Sequence, residues 1–453
     1  MKSLKRGSKL ITAIIFIFLI VLVFLIWKLM SEAKFYISHS PEATLGYVYD
    51  RNGDVIFDDN AKEGDYPDGY FKDVGNLIGD TSGQMTNTLV NKNLEKLSNY
   101  SFSAGIDTKN GKAAIYSTLN HDANEKVYSA FGSKDGCAIA YNYKTGEILV
   151  CVSKPNIDPL KGYDDIENLP AGSLLCKTFS TTVPGSTQKV ATLIAADEAM
   201  GMDRLSEKSF SCEGVYKNNT GIDIICHNSY GHGTQNIREA FQNSCNPFFA
   251  QLVEDPDWSI SDIEKSYKRL GISVNDSNAN DININGIICD AASTDLENKN
   301  EFNTQWSCIG QGTTMVSPCQ MMMWESAIAN GTGKATMPYL IDHVTDVSGR
   351  ITESSSTSYG EQMFSQQTAK DVREIMLENG SNNYSLGYPV GVKSGTAQVY
   401  SDENEDSYNE NSLLTGFVDD EDFPIAFAIV IENRTSGEVS TDYIASVILE
   451  NLD

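Results

Sequence analysis

Val183-Pro184-Gly185-Ser186-Thr187-Gln188-Lys189 is followed by Val190, Leu193, Ile194 and Met200, and then by Gly201. Apolar residues at three- and four-residue steps closed by a glycine predict a helix that begins near Ser186. Ser186 and Lys189 then lie one turn apart on the same face. A buried lysine amine beside a serine hydroxyl can take its proton when desolvation lowers the amine's pKa. The helix start also offers backbone N–H groups to a developing oxyanion. Alone, Ser-x-x-Lys is a weak signal. It recurs at Ser31 to Lys34, next to an apolar run and with no amphipathic pattern after it.

Two further stretches give it weight. Ser244-Cys245-Asn246 follows a helical pattern over Ile237 to Gln242. Other Ser-x-Asn copies, at Ser273, Ser381 and Ser407, fall in Asn/Ser-rich or acidic loop sequence. Lys393-Ser394-Gly395-Thr396 sits between Tyr388-Pro389-Val390-Gly391-Val392 and Ala397-Gln398-Val399. It reads as a strand able to pair with an extended peptide, with Gly395 letting the substrate backbone approach. Lys144-Thr145-Gly146 occupies a hairpin turn upstream of Ser186 and reads as a decoy.

The ordered set resembles the penicillin-binding protein and serine β-lactamase superfamily. Further residues are similar to class B penicillin-binding proteins: Gly146-Glu147-Ile148-Leu149 through Pro155, Asp158-Pro159, Ile309-Gly310-Gln311-Gly312, Val316-Ser317-Pro318 to Gln320, and Ala327-Ile328-Ala329-Asn330-Gly331. The resemblance covers residues 126–453, and more loosely the Asp50-Arg51-Asn52-Gly53 region. It implies an α+β fold, an antiparallel five-stranded sheet flanked by helices, preceded by a small β-rich N-terminal domain.

It also implies a serine D,D-transpeptidase that cross-links peptidoglycan stem peptides ending in D-Ala-D-Ala and is acylated by β-lactams. By that resemblance Ser186 is the nucleophile, Lys189 the base, Ser244 a proton relay, and Asn246 an orienting group for substrate and Lys189. Lys393, Ser394, Gly395 and Thr396 form the substrate strand, Lys393 and Thr396 holding the terminal carboxylate. The backbone N–H groups of Ser186 and Thr396 form the oxyanion hole. No cofactor is implied, and a membrane glycosyltransferase and other cell-wall synthesis proteins are the implied partners. The alternatives are a D,D-carboxypeptidase, a β-lactamase, or a non-catalytic scaffold or β-lactam sensor. The Glu–Asn spacing of class A β-lactamases occurs at Glu378 and Asn382, in what reads as an Asn/Gly-rich loop.

Upstream, Lys2, Lys5, Arg6 and Lys9 precede Leu10 to Trp27, in which Thr12 is the one polar residue, and Lys28 closes the run. Its length exceeds the ~7–15 apolar residues of a secretory signal, despite the small-x-small Ser31-Glu32-Ala33. The reading is a cytoplasmic tail over 1–9, an uncleaved transmembrane anchor over 10–30, a small domain over 31–125 and a transpeptidase-like domain over 126–453. The basic flank places the N-terminus in the cytoplasm and the rest outside a bacterial cell membrane. The segment over 31–125 is too short for a glycosyltransferase domain, which disfavours a bifunctional enzyme.

The 453 residues carry a formal charge of −27; the five basic groups of residues 1–30 leave −32 on the remainder. So acidic a chain is a poor binder of nucleic acid or anionic lipid by bulk attraction. All nine cysteines follow the anchor. Several sit in apolar runs and read as buried free thiols. Cys212 and Cys226 flank a polar loop and are the best disulfide candidates. Absence of a Cys-x-x-Cys pair or a His-rich cluster gives no sequence signal for a metal. Cys245 reads as a packing residue, His232 as a turn residue, and Met321-Met322-Met323-Trp324 as helix core. Asn275 to Asn303 and the acidic Ser401 to Asn411 read as solvated loops.

Overall fold

The structure of the protein, a computed structural model, describes residues 2–39, 45–101, 105–106, 112–163, 165–276, 281–401, 404–435 and 437–453. Its central sheet has five antiparallel strands: β1 (Gly136–Asn142), β2 (Ile148–Lys154), β3 (Val390–Ser401), β4 (Asn404–Val418) and β5 (Ile425–Ile431), in the order β3-β4-β5-β1-β2. The hairpin expected around Lys144 joins β1 to β2. Every residue of β5 is buried, because both faces of the sheet are covered. Phe427, Ile429 and Ile431 pack with Ile444, Ala445, Ile448 and Leu449, whereas Ala426, Ala428 and Val430 face the larger core. This is the two-residue period of a strand, read on two apolar sides.

Helices α1 (Lys2–Ser38), α2 (His121–Ala130), α3 (Lys189–Met200), α4 (Ile237–Gln242), α5 (Asn246–Glu254), α6 (Phe302–Ile309), α7 (Pro318–Ala329), α8 (Gln366–Asn383) and α9 (Thr441–Leu452) position the rest. Helices α2 and α9 cover one face. On the other, α3 is buried from Lys189 to Asp197 and α7 from Pro318 to Ile328. Helices apolar nearly all round belong inside a core rather than at its surface. Met321 to Trp324 are core as expected, and Trp324 Nε1 donates to Leu270 O at 2.9 Å.

The Asn52-Gly53 hairpin forms, with Tyr47–Tyr49 antiparallel to Val55–Asp58. These strands share a second five-stranded sheet with Ala114–Ser117, Ile341–Thr345 and Ile351–Ser354. Helix α1 includes a span from Gly7 to Leu29, 23 residues of hydropathy 3.3 with none of it buried. At ~1.5 Å per residue this reaches the ~30 Å of a hydrocarbon core.

Two expected loops contain strands. Residues 404–411 belong to β4, which pairs with β3 through Ala397↔Asn411, Gln398↔Glu410 and Tyr400↔Tyr408; residues 402–403 lie outside the described residues. Acidic composition argues against burial and leaves strand and loop equally open. Within 275–303, Ile282–Ile284 pairs with Ile287–Cys289, and Ala292–Thr294 pairs with Ile272–Val274; residues 277–280 lie outside the described residues.

Candidate active site

Ser186 lies on a single 3-10 turn, Gly185–Gln188, that runs directly into α3. The turn is wedged between two other segments, and glycines make the contacts. Gly310 ends α6 in the left-handed region at φ 98°, and a Cβ there would meet Gly185 O at 1.8 Å. Gly185 N donates to Gly310 O at 2.8 Å. A Cβ on Gly185 would meet Thr396 O at 2.6 Å, and one on Gly395 would meet Pro184 O at 2.9 Å. Gly395 therefore lets the nucleophile turn approach β3.

The Ser-x-Asn motif is a helix–helix junction. Asn236 caps α4 in a reciprocal capping box with Glu239. At the other end Ser244 adopts φ 49°, Ser244 N donates to Phe241 O, and Cys245 N donates to Ala240 O. That is a Schellman turn with serine where glycine is usual. Cys245 then stands as N-cap of α5, so Asn246 opens that helix with Pro247 behind it.

Lys189 Nζ collects the parts. It donates to Ser186 Oγ at 2.8 Å, Asn246 Oδ1 at 2.7 Å, Ser244 O at 2.7 Å and Ser244 Oγ at 3.3 Å. Asn246 Nδ2 donates in turn to Ile225 O at 3.0 Å. Lys393 Nζ donates to Ser244 Oγ at 2.9 Å and to Ser394 O at 2.8 Å. Both lysines are fully buried. Burial pushes the Lys189 amine down to about 7. Lys393 is held well below the usual lysine range by burial and by the charge of Lys189. The hydrogen-bond partners of Lys189 among the described residues are neutral oxygens, which satisfy its donors without offsetting the lost hydration. An amine poised near neutrality beside a hydroxyl is the arrangement a general base requires.

Above these lysines opens a cleft of about 540 Å³, lined by Ser186, Ser244, Asn246, Ser394, Gly395 and Thr396. All eight residues singled out in the sequence thus meet at one place, two beneath the floor and six on it. One wall is apolar: Ile225, Ile309, Phe302 and Trp306, the last two stacked at 5.5 Å. Gln311 Nε2 donates to Thr396 O at 3.3 Å and ties the Gly310-Gln311 turn to β3. Sequence reasoning gave the wall and Gln311 no role. The helix-ending Gly310 was the available signal for Gln311, whereas isolated apolar residues carry none.

The decoys fall elsewhere. Lys144 Nζ donates to Glu421 O at 2.7 Å in the β1–β2 turn. Glu378 and Asn382 lie on α8 rather than in a loop; Glu378 pairs with Arg238 at 3.0 Å and Asn382 donates to Gln242 Oε1 at 3.1 Å. All nine cysteines are buried and unpaired. Cys212 and Cys226, the candidate disulfide pair, are both free thiols here and gather with His232 and Cys245.

The model of the penicillin binding protein transpeptidase domain matches residues 136–450. Stage V sporulation protein D of Bacillus subtilis (strain 168) is 29% identical over 369 residues, 77% of this chain and 54% of that protein. The peptidoglycan D,D-transpeptidase PbpA of Mycolicibacterium smegmatis is 23% identical over 361 residues, 73% of this chain and 69% of that protein. The chain thus spans about half the length of the first of these relatives. Among solved structures, PBPA from Mycobacterium tuberculosis superposes with a TM-score of 0.76 at 18% identity, covering 91% of this chain and 100% of that one. Its penicillin G acyl-enzyme complex superposes with a TM-score of 0.74 at 19% identity, covering 91% and 98%. A turn-borne serine over two buried lysines, on this sheet and within the matched span, makes the chain a member of the penicillin-binding protein transpeptidase family.

Proposed function

We propose that this protein is a membrane-anchored D,D-transpeptidase of peptidoglycan, acting through an acyl-enzyme on Ser186. The observation that carries the reading is the 2.8 Å contact between Ser186 Oγ and a lysine amine held near neutrality. Neutral Lys189 takes the Ser186 proton as Oγ attacks the carbonyl of a D-Ala-D-Ala bond. Backbone N–H groups of Ser186 and Thr396 hold the oxyanion. Ser244 hydroxyl, between the two lysines, delivers a proton to the departing D-Ala amine. The Lys393 amine and the Thr396 hydroxyl donate to the terminal carboxylate and hold it. The amine of a second stem peptide then attacks the acyl-enzyme and restores Ser186. A β-lactam enters the same first step and stays as the acyl group.

Hydrolysis of the acyl-enzyme by a Glu–Asn pair finds no support, since Glu378 and Asn382 are engaged on α8 away from the cleft lining. The basic residues before the apolar span favour a cytoplasmic N-terminus and an external catalytic region. A membrane glycosyltransferase supplying glycan strands is the fitting partner. Fluorescent penicillin tests the reading. Covalent labelling of the full chain, lost in Ser186→Ala, is expected; an unlabelled wild type of native fold overturns it, as does rapid multiple turnover of a chromogenic cephalosporin.

A further inference from the structure

Beside the Ser-x-Asn turn, the Sγ atoms of Cys212, Cys226 and Cys245 and a ring nitrogen of His232 all lie within 4.8 Å of one another. His232 Nδ1 is 3.7 Å from Cys212 Sγ and 3.5 Å from Cys226 Sγ. Zinc bonds to sulfur at about 2.3 Å and to imidazole at about 2.0–2.1 Å, so a tetrahedral site places such sulfur and nitrogen atoms about 3.6 Å apart. The measured separations match that edge.

The backbone builds this convergence. Phe210–Cys212 pairs with Gly233–Gln235, and Val215–Lys217 with Asp223–Ile225. His232 N donates to Cys212 O and Cys226 N to Gly214 O, each at 2.9 Å. Gly214 and Gly231 have φ of 90° and 78°, and a Cβ would meet Ser229 O at 2.3 Å or Cys212 O at 2.2 Å. Two left-handed glycines thus fold two short ribbons into a knuckle that closes on Cys245.

We propose that Cys212, Cys226, His232 and Cys245 form a closed, tetrahedral zinc site that holds the Ser-x-Asn turn in its working register. Cys245 sits covalently between Ser244 and Asn246, while Cys226 follows Ile225, whose carbonyl accepts from Asn246 Nδ2. One ion therefore ties both segments that set Asn246 and, through it, Lys189. Four protein ligands leave no open position, so the ion is structural. Binding releases the thiol protons and involves no change of oxidation state. A disulfide would use two of these sulfurs and leave no reason for the imidazole and third sulfur to share the point.

The test is metal analysis of the full chain, purified in detergent from zinc-replete cells without chelator. One zinc per chain is expected, with zinc affinity about tenfold or more weaker in Cys226→Ser and His232→Ala, and retained zinc in Cys176→Ser. Cobalt(II) exchange should give the intense visible bands of a tetrahedral thiolate site. Chelation should slow fluorescent-penicillin acylation about tenfold, with recovery on adding zinc. Metal-free wild-type chain, or a stoichiometric Cys212–Cys226 disulfide in fully active protein, overturns the site. Bound zinc whose removal leaves acylation unchanged overturns its positioning role. Metal content and the cobalt spectrum need no turnover, so they fail or succeed independently of the transpeptidase reading.

Discussion

Lys393 Nζ stands 2.9 Å from Ser244 Oγ, so the strand and the helix–helix junction meet at one hydroxyl. That hydroxyl is held by a residue in the left-handed region, where an L-residue costs roughly 1–2 kcal/mol. Ser244→Gly and Ser244→Ala both lose the relay, and penicillin acylation should fall about 10²–10⁴-fold in each. They should differ in stability. The glycine variant relieves the backbone and should melt above the alanine variant, as calorimetry can read.

Lys189 should set the pH profile. Below about 7 its amine is protonated and cannot accept from Ser186, so the second-order acylation rate should rise with pH through an inflection near 7. Lys189→Arg places a permanent cation there and should lose about 10²–10⁴-fold at every pH.

The same lysine makes a thermodynamic prediction. Its folded pKa lies below its unfolded one, so between about 7 and 10.5 the unfolded chain binds more protons and stability rises with pH. Lys189→Met removes that contribution. The variant's Tm should gain on the wild type as pH falls from 9 to 6, whatever its offset.

Glu325 runs the opposite way. It is buried on α7, accepts from Thr415 Oγ1 at 2.8 Å, and its other oxygen has no partner among the described residues. Burial raises it from 4.5 to about 8, so the folded state holds a proton that the unfolded state releases. Its stabilisation is full below 4.5 and is lost as pH rises through 8. Glu325→Gln should flatten this slope, with a Tm near the wild type's at pH 5 and above it at pH 9.

Gly310 carries the nucleophile turn. Gly310→Ala drives a methyl into Gly185 O and should displace Ser186, lowering acylation about 10²-fold. Gly331→Ala, also at positive φ but facing open space, should cost stability alone. Stopped-flow acylation and melting curves separate the two.

What was readable in the sequence follows from how local each signal is. Ser186 and Lys189 share a turn, and a helical period announces that turn; Lys393 to Thr396 share a strand bounded by glycine and proline. The Cys–His knuckle draws its residues from a strand end, two loops and a helix junction between 212 and 245, at spacings that match no compact metal motif, so only the folded backbone collects them. Gly395 is half-legible for the same reason: a glycine states that something comes close, and only the fold shows that Pro184 does. Over 404–411 charge reports composition rather than conformation, and the β3–β4 pairing includes these residues.

The two large sheets are each stitched from distant parts of the chain, and this sets an order of events. Ala114–Ser117 presents a bare edge until Ile341–Thr345 arrives, and β1 presents one until β5 arrives. During synthesis, at about 5–20 residues per second, hundreds of residues must emerge before either edge is covered. Such delayed pairing is slow and exposed to misassociation. The newborn chain thus spends about ten seconds to a minute as a polymer with two adhesive margins, and its last third is what makes it safe.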